Sequence, residues 1–103
     1  MSYTGAKRLV YGYTHRMAFH YVYVLRSLTD GLMYIGSTND VKRRFAEHNQ
    51  GKNISTAKRR PFELIYFEAH RAKTDAERRE QYFKTTKGKV TLRQFIRDIL
   101  SEE

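Results

Sequence analysis

The sequence predicts an α+β domain, a three-stranded antiparallel sheet flanked by helices. Three observations predict it. Two short β-prone runs, Tyr21-Val22-Tyr23 and Tyr34-Ile35-Gly36, flank a turn-forming segment that ends in Asp30-Gly31, which is a hairpin pattern. A third run, Glu63 to Ala69, is apolar at both parities, so helices must cover both faces of the sheet. Apolar residues at helical spacing follow the second and third runs.

In chain order, residues 1–19 read as a flexible basic extension. Met1 to Arg16 is short of aliphatic residues, and its charges, Lys7, Arg8 and Arg16, are all basic; it is a terminal arm or an addition upstream of a start at Met17. The domain proper is read as residues 20–103. Strand one spans about His20 to Arg26 and strand two about Leu32 to Ser37. A four-residue loop, Ser27 to Asp30, sets Arg26 opposite Gly31 and Tyr23 opposite Tyr34, which brings two phenols to one face. Taken alone, the two tyrosines read first as strand-forming core residues. Gly36 removes a side chain where something must approach closely.

Asn39 or Asp40 caps a helix from Val41 to about Asn49, and Gly51 stops it. Val41 and Phe45 point to the core. Arg44 and His48, four apart, stack on one flank, half-buried and within reach of the tyrosine face. The loop Gly51 to Arg60 is polar and basic; it either tracks a phosphate backbone or is an ordinary solvated loop. Strand three, Glu63 to Ala69, carries Leu64 and Tyr66 on one face and Ile65 and Phe67 on the other. Thr74 or Asp75 caps a second helix to about Lys87, and Gly88 breaks it. A third helix, Thr91 to Ser101, presents Leu92, Phe95, Ile96, Ile99 and Leu100 as one apolar face.

At 103 residues the chain is one domain that buries roughly two thirds of its unfolded surface. It has no cysteine, which excludes disulfides and thiolate zinc and allows a reducing compartment. The first twenty residues hold no apolar signal core, and no apolar run is long enough to span a bilayer. The expectation is a cytoplasmic protein without a membrane partner. A net charge of +9 points to a polyanionic partner, most commonly nucleic acid.

Hydrolysis of a phosphodiester needs a nucleophilic water, charge stabilisation on the phosphoryl oxygens, and help for the leaving group. A phenol can act as general base, but a pKa near 10 leaves only ~0.1% ionised at neutral pH, so a nearby cation has to lower that value. Arg44 is such a cation and can clamp a phosphate oxygen. His48 can hold a phosphate or relay a proton. Ala76, Glu80 and Phe83 share one helical face, while Glu77 points about 100° from Ala76. Glu80 therefore projects inward, toward the tyrosines. Its partner is either Arg44 or Arg79 in an ion pair, or one Mg²⁺ (or Mn²⁺), which needs only one or two carboxylates.

The order and spacing of these residues resembles the GIY-YIG nuclease family, most closely its small standalone bacterial members, over about Tyr21 to Lys89. The resemblance implies a divalent-metal-dependent endonuclease acting on DNA, at branched or damaged structures. It implies that Tyr23 is the general base or positions the water, that Tyr34 orients water and phosphate, that Arg44 stabilises the transition state beside His48, and that Glu80 holds the metal. Ser55, Thr56, Lys58, Arg59, Arg60 and Lys84 are the expected nucleic-acid contacts. Two departures stand out: Tyr21 replaces the glycine that opens the first motif, and Lys84-Thr85-Thr86-Lys87 carries no asparagine after the last motif helix. The competing reading is a nucleic-acid-binding protein with a weak or inactive site. A purely structural protein leaves the charge unexplained. DNA is the expected partner ahead of RNA, and nothing indicates a protein partner.

Overall fold

The computed structural model describes residues 18–102. The expected N-terminal arm lies almost wholly outside the described residues. The elements are β1 (His20–Ser27), β2 (Met33–Thr38), α1 (Val41–Asn49), β3 (Phe62–His70), α2 (Lys73–Lys84), α3 (Thr86–Phe95) and α4 (Arg97–Leu100), with a 3-10 turn at Ala57–Arg59. The sheet is antiparallel in the order β2-β1-β3, so the strand with the first tyrosine motif is central. Val22, Val24 and Leu25 on it are fully buried.

Each sheet face carries its own core. On one face Val22, Val24 and Ile35 pack with Ala76 and Phe83 of α2, Leu92 of α3, and Ile96. On the other, Tyr23, Leu25 and Phe62 pack with Tyr34, Leu64, and Val41 and Phe45 of α1. Helices thus flank both faces, as the apolar parity of the strands required.

The hairpin register differs from the expected one. Tyr23 opposes Gly36 and Leu25 opposes Tyr34, a shift of two positions. The cause is a longer loop, closed by local polar groups. The Ser27 hydroxyl accepts the Thr29 and Asp30 amides, the Asp30 carboxylate accepts the Leu32 amide, and Gly31 N–H bonds the Ser27 carbonyl. Because strand side chains alternate with period two, this shift leaves Tyr23 and Tyr34 on one face, as diagonal rather than direct neighbours.

Strand three also differs. A bulge opposite Val24/Leu25 sets Tyr66 against Val24 and Leu64 against Leu25, so Leu64 and Tyr66 go to opposite faces. The second and third helices divide earlier than Gly88. Thr85 is extended and its hydroxyl caps the Gly88 amide. Gly88 lies in the first turn of α3 against the Tyr82 carbonyl, where a Cβ has no room. α2 starts after Ala72 without a side-chain cap, so neither Thr74 nor Asp75 fills that role. The third helix breaks at Ile96, and Phe95 is exposed under the Arg79 guanidinium rather than in the core.

At Gly36 the close approach is made by Tyr23. A Cβ there would lie 2.5 Å from the phenol oxygen and 2.6 Å from Cζ. Gly36→Ala is expected to destabilise the fold by about 1–3 kcal/mol, the scale of overpacking. In a Tyr23→Ala background the same change is expected to cost close to nothing. Urea unfolding of the four proteins checks this cycle.

Candidate functional site

The site is assembled around the Tyr23 ring, which lies across Gly36 and carries its hydroxyl to His48. The Tyr23 oxygen is 2.9 Å from His48 Nε2, and His48 Nδ1 is 2.8 Å from Thr56 Oγ1. The Thr56 hydroxyl also lies 3.4 Å from the Asn53 carbonyl, which can only accept. We assign the tautomer from these partners: Thr56 donates to Asn53, His48 Nδ1–H donates to Thr56, and Tyr23 O–H donates to Nε2. Tyr34 packs edge-on against His48 at 4.9 Å between ring centroids, and 6.3 Å from the Tyr23 ring. Phe62 closes another side of the imidazole at 5.9 Å.

Two expectations change here. His48 is fully buried, not half-buried, because Thr56, Tyr34 and Phe62 enclose it. It cannot touch a phosphate and can act only through Tyr23. The Tyr23 phenol, expected to be lowered by a cation, is instead pushed up to about 12. Burial is the main cause and the neighbouring Tyr34 adds to it, while Arg44 pulls the other way. Burial, with the positive charge of Arg44, lowers the His48 pKa. The pair is a neutral phenol donating to a neutral imidazole.

Arg44 stands on α1 one turn before His48. One guanidinium nitrogen donates to Glu47 at 3.3 Å, whereas Nε is buried without a protein acceptor. An unpaired buried N–H is costly, and a phosphoryl oxygen is a fitting acceptor for it. A cleft beside it is lined by Ser37, Thr38, Arg43, Arg44, Lys73 and Glu77.

Glu80 projects inward from α2, but onto the sheet face of Val22, Val24 and Ile35 and not, as expected, onto the face of Tyr23 and Tyr34, because Ala76 and Phe83, which share its helical face, pack there. Its side chain is 15% exposed. It is held by neither Arg44 nor Arg79: Oε1 accepts from the Ser37 hydroxyl and Oε2 from Lys84 Nζ, each at 2.7 Å. Arg79 binds Glu68 at 2.8 Å and lies over the Phe83 ring. No group of three or more His, Asp or Glu suited to a metal occurs among the described residues. The Glu80 carboxylate, with lone pairs left after two bonds, fits a Mg²⁺ that keeps most of its waters, whereas the equally buried Glu68 is taken up by Tyr66, His70 and Arg79. Glu77 is exposed and faces the cleft rather than a remote flank.

The basic loop divides by role. Thr56 is buried on His48 and is no surface contact. Arg59 is tied down, bonding the Asp30 carboxylate at 2.7 Å and the Leu32 carbonyl at 3.1 Å; in return it holds the Asp30 carboxyl down at about 2. Ser55 and Lys58 are exposed, and exposed Arg60 bonds only the Ala57 carbonyl through Nε. Lys84 is engaged by Glu80. Sequence reasoning missed Ser37. Strand alternation carries the signal, since it turns Ser37 away from the Gly36 face toward α2.

The family model for the GIY-YIG catalytic domain matches residues 19–94. The chain is 46% identical over 67 residues to a UPF0213 protein of Bacillus pumilus, covering 64% of this chain and 67% of that protein. It is 46% identical over 74 residues to the UPF0213 protein SAG0778 of Streptococcus agalactiae, covering 69% and 83%. A solution NMR structure of the UPF0213 protein BH0048 from Bacillus halodurans matches at 38% identity and a TM-score of 0.47, covering 75% of this chain and 84% of that one.

The lowered pKa of His48 has a consequence for stability. The unfolded chain takes up a proton near pH 6.5 that the folded chain resists, so stability is full above about pH 6.5 and is lost as pH falls below it. His48→Gln is expected to flatten this dependence between about pH 7 and 5, by at most ~1.4 kcal/mol per pH unit. Urea titrations at a series of pH values measure it.

Proposed function

The chain belongs to the GIY-YIG family, and from that premise we propose that it is a divalent-metal-dependent endonuclease that hydrolyses phosphodiester bonds in DNA, including branched or damaged DNA. The observation that carries the reading is the Tyr23 hydroxyl aimed at a neutral His48, next to the unpartnered Arg44 Nε. A phenol with a pKa of about 12 is a poor base if it must ionise first. It works if it exchanges protons: the attacking water gives a proton to the phenol oxygen while Tyr23 O–H passes its own to His48 Nε2. The phenol begins and ends neutral, and the charge rests on the imidazole.

Arg44 donates to a phosphoryl oxygen as negative charge builds there. Tyr34 flanks the imidazole and the water. Glu80 would hold the Mg²⁺ or Mn²⁺, with Ser37 orienting its carboxylate, and the metal, when bound, would supply charge neutralisation. Ser55, Lys58 and Arg60 are the exposed groups available to neighbouring phosphates. The raised pKa of Tyr23 is the observation favouring the other reading, a nucleic-acid-binding protein with an idle site.

Cleavage of plasmid and branched DNA in Mg²⁺, Mn²⁺ and EDTA separates the two. Tyr23→Phe is expected to keep the fold and to slow cleavage about a hundredfold or more, and Arg44→Ala to slow it comparably. Activity is expected to fall off on the acid side, with the limb displaced below the pH of an ordinary imidazole because burial lowers the His48 pKa, since His48 must be neutral to accept the proton. Glu80→Gln is expected to abolish metal-dependent cleavage and leave DNA binding intact or tighter, with Glu77→Gln near wild type. A wild-type rate in Tyr23→Phe sinks the proton exchange, and a reversal of the two glutamate variants moves the metal to Glu77.

Binding has its own measurement. Lys58→Ala with Arg60→Ala is expected to weaken DNA binding for all sequences alike and to reduce the salt slope by roughly one to two units. An unchanged slope makes the loop a connector only.

A further inference from the structure

Among the described residues the sheet face that carries Tyr23 is only partly covered. α1 packs over the end with Tyr23, Leu25 and Phe62. Toward the other end of β1, Tyr21 pairs with Thr38 on one side and Ala69 on the other. Phe67 directly opposes Tyr23, so the two share a face. The Phe67 ring meets Tyr21 edge-on, 6.0 Å between centroids, and stays 51% exposed. At the same end of the sheet the Arg71 guanidinium lies over the Phe19 ring.

We infer that Phe67 and Tyr21 form a stacking platform for an unpaired nucleobase, so that the substrate carries single-stranded or unstacked DNA next to the phosphate being cut. This rests on the reading of the site as a nucleic-acid surface. Three facts favour this occupant. The platform adjoins Tyr23 directly across the β1–β3 ladder, a nucleotide-scale step from the candidate site. The chain has a net charge of +9, which draws polyanions and disfavours a second copy of the same chain. The exposed Phe67 ring is braced edge to face by Tyr21, and bases stack on an exposed aromatic ring whatever their identity. A duplex keeps its bases stacked on one another and has none to offer the ring, so the platform selects unpaired DNA.

The test reads binding in EDTA, with no cleavage required. A short single-stranded DNA carrying a fluorescent base analogue is titrated with wild type, Phe67→Ala, Phe67→Trp and Tyr21→Leu, beside a fully paired duplex of the same length. Wild type is expected to quench the analogue. Phe67→Ala is expected to weaken single-strand binding about tenfold, the scale of one base on one ring, and to leave duplex binding unchanged. Phe67→Trp should restore it, and Tyr21→Leu should weaken it in the same direction should Phe67→Ala fail to fold. Equal losses for both DNAs, no loss, or an unquenched analogue overturns the platform. So does light scattering that shows wild type as a dimer and Phe67→Ala as a monomer, because a second copy then covers the face. Absence of cleavage by wild type in Mg²⁺ defeats the nuclease reading alone, and an unquenched analogue defeats the platform alone.

Discussion

The structure depends on one phenol lying flat across a residue with no side chain. Tyr23 can occupy the space over Gly36 only because position 36 has no Cβ. From there its oxygen reaches His48 on α1, and His48 in turn reaches Thr56 in the following loop. The central strand, the first helix and the basic loop are thus keyed to one another by two buried hydrogen bonds. Each contributes only about 1 kcal/mol net, but losing either leaves a buried polar atom without a partner, which costs more. The arrangement behaves as a unit: a change at Gly36, His48 or Thr56 displaces the same oxygen.

Ion pairing decides where the basic charge can be used. Arg26 pairs with Glu63, Arg59 with Asp30, Arg78 with Asp75, Arg79 with Glu68, and Lys84 with Glu80. Arg43 and Arg44 share Glu47. Lys52, Lys58, Arg60 and Lys73 have no ion pair among the described residues, and neither do Lys42, Arg71, Lys87, Lys89, Arg93 and Arg97. Three of these belong to the loop after α1, and Lys73 lines the cleft with Arg44. Unpaired surface cations of this kind set salt-dependent affinity for phosphate, whereas paired ones set shape.

Period was legible in the sequence, and distance was not. Alternation put Tyr23 and Tyr34 on one face, and that survived a register error because the error was of two positions. The loop length itself depended on Ser27 and Asp30 bonding nearby amides, a choice that several turn residues offer equally. The bulge beside Leu25 was invisible, since Leu64, Ile65 and Tyr66 are all apolar and suit either face. Helical phase turned Glu80 inward with Ala76 and Phe83, but it does not say which sheet face the helix covers, and α2 packs on the face opposite the tyrosines. The division of the last helices is not legible in the sequence, because Gly88 reads as a conformational break whereas it marks the contact of one helix start with the preceding helix end.

Thr56 shows why the rest could not be read. In a run of lysines, arginines, asparagine and serine, a threonine is priced as a surface residue, because polar side chains are mostly exposed. Burial becomes favourable only once a partner is present to satisfy the hydroxyl, and that partner, His48, is eight residues away on another element. The same enclosure explains the direction of the Tyr23 pKa. Packing exact enough to hold a phenol oxygen on an imidazole also strips water from that oxygen, and a phenolate there is costly. Cationic surroundings alone suggested a lowered value, because charges are visible in sequence and desolvation is not. Geometry and ionisation are thus coupled at this site. The contacts that aim the hydroxyl are the ones that keep it protonated, so whatever proton traffic the site supports has to run through His48 and not through a standing phenolate.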